Sequence, residues 1–202
     1  MAEKIKFTKQ EQKKQQDALK QFQRFLPTLQ LKKQQLQAEV RRSSDLLEEN
    51  LRRQEELRGI LAQSLIFFGD TTAAGEIESK VRIVKVNSSE QNIAGVPIPV
   101  FESVEFAPAA VDRFATDWYF DDAVEALKRA AELKEEYKIL YRQYELLAEE
   151  LRITGQRVNL FEKVKIPECQ ENIRKIRIML GDLETSAVAR SKIAKRKTAA
   201  AS

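Results

Sequence analysis

Leu133 to Phe161 reads LKEEYKILYRQYELLAEELRITGQRVNLF. Within it Leu133, Tyr137, Leu140, Tyr144, Leu147, Leu151, Thr154, Val158 and Phe161 recur at alternating steps of four and three. All but Thr154 are apolar or aromatic. A stripe repeating every 3.5 residues is the mark of a helix that supercoils around a partner. The intervening Glu, Lys and Arg leave the rest of the circumference for water. The stretch therefore predicts a long helix with one narrow seam, and a stiff helical shaft that does no chemistry of its own.

Upstream, Thr8-Lys9-Gln10-Glu11 reads as a capping box. The Thr8 hydroxyl accepts an early amide and Glu11 returns to the N–H of Thr8. From there the pattern is helical to Phe68, with Leu19, Phe22, Leu26, Leu29, Leu36 and Val40 on one face and Lys33 filling a seam position. Leu47, Leu51, Leu61, Leu65 and Phe68 are read as continuing the stripe after a phase drift near Leu47. Pro27 lies inside the pattern. A kink is expected in preference to a break, because the phase is unchanged across it. A continuous Thr8–Phe68 helix would span about 90 Å at 1.5 Å per residue.

Gly69-Asp70, Thr71, Thr72 and Gly75 signal a loop. Val81 to Val86 is rich in β-formers, Asn87-Ser88-Ser89 reads as a turn or loop, and Val96-Pro97-Ile98-Pro99-Val100 leads to Val104 and Phe106. The expectation is a small hairpin whose second strand is irregular or at an edge, since Pro97 and Pro99 cannot donate to a ladder. Such a hairpin is marginal alone and must lean on the helices or on a partner. Ala109 to Phe114 is read as a short extra turn. Trp118, Tyr119 and Phe120 are read as packing against the hairpin. Asp117, Asp121 and Asp122 suit the start of the second helix.

Past Phe161 the seam slips by one residue at Ile166-Pro167 and resumes as Ile166, Cys169, Ile173, Ile176, Leu180, Leu183 and Ala187. Pro167 is read as cause or marker of the slip. Arg190, Lys192, Lys195, Arg196 and Lys197 then make the end basic. The predicted fold class is mainly α. Residues 1–69 form one long helix, 70–115 a hairpin-containing insert, and 116–202 a second long helix. The two helices pack antiparallel as a coiled coil, with both termini toward one end.

Composition narrows function. The 202 residues include 33% charged residues, no histidine and one cysteine. A triad built on histidine is excluded, a structural zinc site nearly so, and an intramolecular disulfide is impossible. No apolar run approaches the roughly 20 residues that span a bilayer. Met1 to Phe7 lacks a signal-peptide core. The expectation is a cytoplasmic, soluble chain that reaches a membrane only through partners. Neither phosphate-binding glycine motif is present. The pairs Glu48-Glu49, Glu135-Glu136 and Glu149-Glu150 read as solvated faces, because adjacent helical positions point apart. Cys169 reads as a buried filler. No metal, cofactor or catalytic residue is expected.

Gln156-Arg157-Val158-Asn159-Leu160-Phe161-Glu162, followed by Ile166-Pro167, resembles the segment that marks the D subunit of the V-type and archaeal A-type rotary ATPases. In that family an Arg-Val-Asn-Ala-Leu-Glu-like run precedes Ile-Pro and a helix of spaced isoleucines with a basic end. Ile173, Ile176 and Leu180 keep that spacing, and Arg190, Lys192 and Lys195 match the basic end. Asp122-Ala123-Val124-Glu125, Thr154 and Asn92-Ile93-Ala94-Gly95-Val96-Pro97 are similar to further family segments. The first helix departs, with Phe7-Thr8-Lys9 in place of Pro-Thr-Lys. The resemblance implies a non-catalytic central stalk, without cofactor. It would couple ATP hydrolysis or synthesis in the catalytic A and B subunits to proton or sodium translocation. Its partners would be the F subunit and the C (or d) subunit that links to the membrane rotor ring. It implies family-motif roles for Arg157, Val158, Asn159, Glu162, Ile166 and Pro167, and hexamer contacts for Arg190, Lys192, Lys195 and Arg196. An antiparallel coiled-coil chaperone or adaptor of prefoldin type is the alternative. The basic end argues against it, and the moderate net charge of +4 argues against a nucleic-acid binder.

Overall fold

The computed structural model describes residues 6–67, 81–108 and 120–200. Two long helical arms pack together with a β-hairpin between them. The elements are helix α1 (Lys9–Phe67), strands β1 (Ile83–Ile93) and β2 (Val96–Phe106), helix α2 (Phe120–Leu160), a π-helical turn (Phe161–Lys165) and helix α3 (Ile166–Ala200). The loop signals at Gly69 to Gly75, the extra turn at Ala109 to Phe114, Trp118, Tyr119 and the insert boundaries at 69/70 and 115/116 lie outside the described residues. The chain divides into two compact units. One is Gln34–Arg152, the other Met1–Lys33 with Ile153–Ser202.

Only half of the expected capping box forms. The Thr8 hydroxyl accepts the Glu11 N–H at 3.2 Å. The Thr8 N–H, however, donates to the Lys6 carbonyl at 3.0 Å, so no orphan donor remains for Glu11 to satisfy. Glu11 instead accepts from the Gln15 amide at 2.9 Å, one turn on. Pro27 does not break α1, which is continuous over 59 residues. Pro27 and Gln23, the residue four back whose carbonyl loses its partner, are both exposed, so water can solvate the freed group. The Thr28 hydroxyl donates to the Phe25 carbonyl at 2.7 Å beside it.

The phase drift near Leu47 does not occur. From Gln12 to Leu61, α1 covers every residue of an unbroken three–four series, and after Val40 that series runs Ser43, Leu47, Asn50, Gln54, Leu57 and Leu61. Leu51, assigned to the stripe from its hydrophobicity, is 48% exposed, whereas Asn50 is 2% exposed. Three polar residues, Ser43, Asn50 and Gln54, hold the seam along this series, and hydrophobicity alone shifted the reading by one residue.

In the unit Gln34–Arg152 the core gathers Leu36 of α1, Leu147 of α2 and Val96 and Ile98 of β2, with Val40, Ile93, Ala94, Leu146 and Leu151 around them. The hairpin thus buries one face of β2 against both helices, the support an isolated two-stranded sheet needs. Its strands are longer than the sequence suggested. Asn87 to Ser89 pairs within β1, and the turn lies at Ala94-Gly95. Ala94 (φ 52°) and Gly95 (φ 80°) are both left-handed, as a type I′ turn requires. The Asn92 side-chain oxygen accepts the Gly95 N–H at 2.9 Å. Asn87 to Ser89 read as a turn because their side chains are small and polar. In place of a turn the ladder carries a register shift between Asn87 and Ser88, and a second between Ile83 and Lys85.

Pro97 pairs with Asn92 and Pro99 with Glu90. In a two-residue hairpin the turn-flanking pair, Ile93 and Val96, exchanges hydrogen bonds, and such pairs then alternate. Both prolines therefore occupy positions whose N–H would point away from β1. That is why the strand stays regular through them.

In the other unit, the Phe22 and Phe161 rings meet at 4.9 Å, Asn172 donates to Gln15 at 3.5 Å, and Lys9 pairs with Glu184 at 3.3 Å. As the residue number rises on α1 it falls on the partner, so the helices here are antiparallel. The one-residue slip has a defined origin: Phe161–Lys165 is a π turn, and the Ile166 N–H bonds to the Phe161 carbonyl five residues back. One added residue in one turn moves the covered face from Phe161 to Ile166, then to Cys169, Ile173, Ile176 and Leu180. Pro167 follows directly. Its missing N–H and its ring both disfavour a tight α turn against the carbonyl four residues back.

Candidate functional site

The seam residues of α2 and α3 are unevenly covered. Leu140, Leu147, Val158, Ile173 and Ile176 are buried, while Leu133, Tyr137, Tyr144, Leu151, Phe161 and Leu180 are half-buried. Thr154, the one polar member, is 1% exposed and its hydroxyl has no hydrogen-bond partner. Cys169 is buried among them, and that burial pushes its thiol pKa up, with the neighbouring Glu168 carboxylate adding to the shift. It is therefore a poor nucleophile.

A polar cluster sits in the seam of the unit Gln34–Arg152. The Asn50 amide donates to a Glu136 carboxylate oxygen at 2.9 Å. The Gln54 amide donates to the Asn50 side-chain oxygen at 2.6 Å and reaches the Leu133 carbonyl at 3.4 Å. Glu136, read as part of a solvated acidic pair, is half-buried and engaged across the helix pair. On the next turns of α2, Gln143 is buried and its amide donates to the outward-facing Pro99 carbonyl. These groups are satisfied, and together they fix one register of α1, α2 and the hairpin. Ser43, Asn50, Gln54 and Gln143 escaped a reading guided by hydrophobicity. Extending the strict heptad of Leu36 and Val40 by arithmetic would have found the first three.

The family-motif residues separate by face. Val158 is buried and Ile166 half-buried, whereas Arg157, Asn159, Glu162 and Pro167 are exposed. Arg190, Lys192, Lys195 and Arg196 are exposed too, on a stretch of α3 that is exposed at every position from Gly181 to Ala199. Leu183 and Ala187 belong to that stretch, so the covered seam ends at Leu180. Elsewhere the outer faces carry ion pairs three or four residues apart, among them Arg152–Glu149 at 2.6 Å and Arg174–Glu171 at 2.8 Å. The hydrogen bond from Arg174 holds the Glu171 carboxyl down at about 2, with further help from the charges of Arg174 and Lys175. Among the described residues there is no group of three metal-ligating side chains and no helix long and apolar enough to cross a membrane.

Comparison with known proteins gives the family. The family described as the D subunit of ATP synthase matches residues 11–196. A V-type ATP synthase D subunit from Borreliella burgdorferi is 44% identical over 192 residues, covering 95% of this chain and 94% of the relative. One from Chlamydia pneumoniae is 32% identical over 198 residues, covering 98% and 94%. One from Chlamydia caviae is 30% identical over 197 residues, covering 98% and 95%. With paired helices, a hairpin between them and a match over nearly its full length, the chain belongs to the ATP synthase D-subunit family.

Proposed function

We propose that the chain is the central rotor shaft of a V/A-type rotary ATPase, a non-catalytic cytoplasmic subunit. It couples ATP hydrolysis or synthesis in the A/B hexamer to proton or sodium translocation by the membrane rotor. Its partners are the A, B and F subunits, and the C (or d) subunit that joins it to the rotor ring. Family membership supports the reading, and the observation that carries it is the covered seam. A shaft must resist twist, and α1 holds one three–four series from Gln12 to Leu61 without a slip. The seam residues Leu133 to Leu180 carry the load in this reading. The outer face bears exposed ion pairs, each worth about 0–1 kcal/mol, so contacts with a surrounding ring exchange readily.

The exposed stretch with Arg190, Lys192, Lys195 and Arg196 is the part that meets carboxylates of the hexamer in turn. Arg157, Asn159 and Glu162, exposed beside buried Val158, are the family-motif groups available to a partner. Mixing the purified chain with the F subunit and the A/B hexamer tests the reading. A stoichiometric complex with an altered ATPase rate is expected, and reversing Arg190, Lys192 and Lys195 to Glu should lower coupled rotation. No complex, or unchanged torque in the triple variant, refutes the corresponding part.

A further inference from the structure

The two edges of the hairpin are not equivalent. On β2 the outward backbone positions near the turn are Pro97 and Pro99, which have no N–H to offer, and the Pro99 carbonyl is already taken by Gln143. That edge is closed to a further strand. On β1 the outward positions are those cross-paired with Phe101, Pro99 and Pro97, namely Ser88, Glu90 and Asn92. All three are exposed, and among the described residues no hydrogen bond reaches their backbone N–H groups. The segment from Ser88 to Ile93 is free of register shifts, so these groups are spaced as a regular ladder requires. Between the hairpin and the two helices runs a groove of about 740 Å³ whose walls include Gln91 and Asn92 of β1, Ile98 of β2, Glu39 and Arg42 of α1, and Gln143 of α2.

We propose that the outer edge of β1 at Ser88, Glu90 and Asn92 is a strand-addition site for an extended segment of a partner subunit. That segment carries Lys or Arg beside Glu90. Main-chain hydrogen bonds to the open edge hold it, and alternate side chains enter the groove. Charge selects the occupant. With Arg53 and Glu49 paired to each other, Glu39 and Glu136 outnumber Arg42 in the groove, and Glu90 stands exposed on the strand edge itself. A second copy of this chain fits worse. Two-fold pairing of β1 centred on Glu90 would set Glu90 directly against Glu90, and like charges in that position are destabilising.

The inference rests on the chain being a subunit of a rotary complex, and its test separates the two claims. Residue-resolved amide hydrogen exchange is measured on the free chain and on the chain assembled with the A, B, F and C (or d) subunits. In the free chain the Ser89, Gln91 and Ile93 amides, bonded to β2, should be slow, and those of Ser88, Glu90 and Asn92 fast. In the complex the second set should slow by at least about tenfold. Glu90→Pro removes one outward donor at a position where β2 already tolerates proline. It should weaken partner binding about five- to tenfold while Ser89, Gln91 and Ile93 stay protected. Assembly with Ser88, Glu90 and Asn92 still fast overturns this proposal alone. A chain that does not assemble overturns the rotor reading and the proposal together. Slowing in the isolated chain that grows with its own concentration assigns the edge to a second copy and overturns the partner assignment.

Discussion

Thr154→Val should stabilise the protein. Thr154 is 1% exposed and its hydroxyl oxygen has no partner. Threonines inside helices commonly donate back to the preceding turn, as Thr185 does to the Gly181 carbonyl at 3.0 Å. Thr154 does not, and a buried hydroxyl left unpaired costs about 1–3 kcal/mol. Valine keeps the shape and the β-branch, so packing and helix propensity change little. A gain of about 1–2 kcal/mol should raise the melting temperature by about 2–8 °C in a chain of this size. Thr154→Ser keeps the hydroxyl and deletes a buried methyl, and should lose about 1 kcal/mol. Circular dichroism melts of the three proteins at equal concentration give the order Val above Thr above Ser. A Val variant that melts below the parent refutes the reasoning, because it would mean that the hydroxyl is satisfied in solution.

Other perturbations test the remaining parts. Leu147→Ala, at the meeting of α2 with Leu36, Val96 and Ile98, should cost about 3–5 kcal/mol in chemical denaturation. Ala94→Gly should strengthen the hairpin by about 1 kcal/mol, since a left-handed conformation strains any residue with a Cβ; slower exchange of the Gln91 amide would report it. Glu171 is depressed to about 2 from an ordinary 4.5 by Arg174. Its contribution is full above pH 4.5 and fades as the pH falls toward 2, so Glu171→Gln should lower helix content at pH 6 and make no difference near pH 2.

The parts of the fold that depend on a period were legible in the sequence, and those that depend on a partner across space were not. Leu133 to Phe161 declared its helix because apolar side chains marked most turns of the seam. Asn50 and Gln54 occupy the same geometric positions on α1 but hide there, since their fitness for the seam lies in Glu136 and the Leu133 carbonyl, about eighty residues away. Asn87 to Ser89 looked like a turn because strand propensity reports side-chain packing, whereas these three small polar residues are held in β1 by backbone pairing with Ser103, Phe101 and Val100. The slip before Cys169 was visible as arithmetic, but a π turn and a break at Pro167 produce the same arithmetic. Only the backbone bond from Ile166 to Phe161 distinguishes them. The run of basic residues after Leu183 is plain in the sequence and its exposure is seen only in the fold, whereas the open edge of β1 required the pairing of each residue with β2.

The most direct test of the rotor reading is single-molecule rotation. A cysteine introduced as Glu102→Cys, exposed on β2, carries a bead, with buried Cys169 replaced by alanine so that labelling is unique. In an immobilised A/B hexamer assembled with this chain, ATP should turn the bead in one direction through repeated full revolutions. A bead that keeps a fixed angle while the same complex hydrolyses ATP contradicts the account.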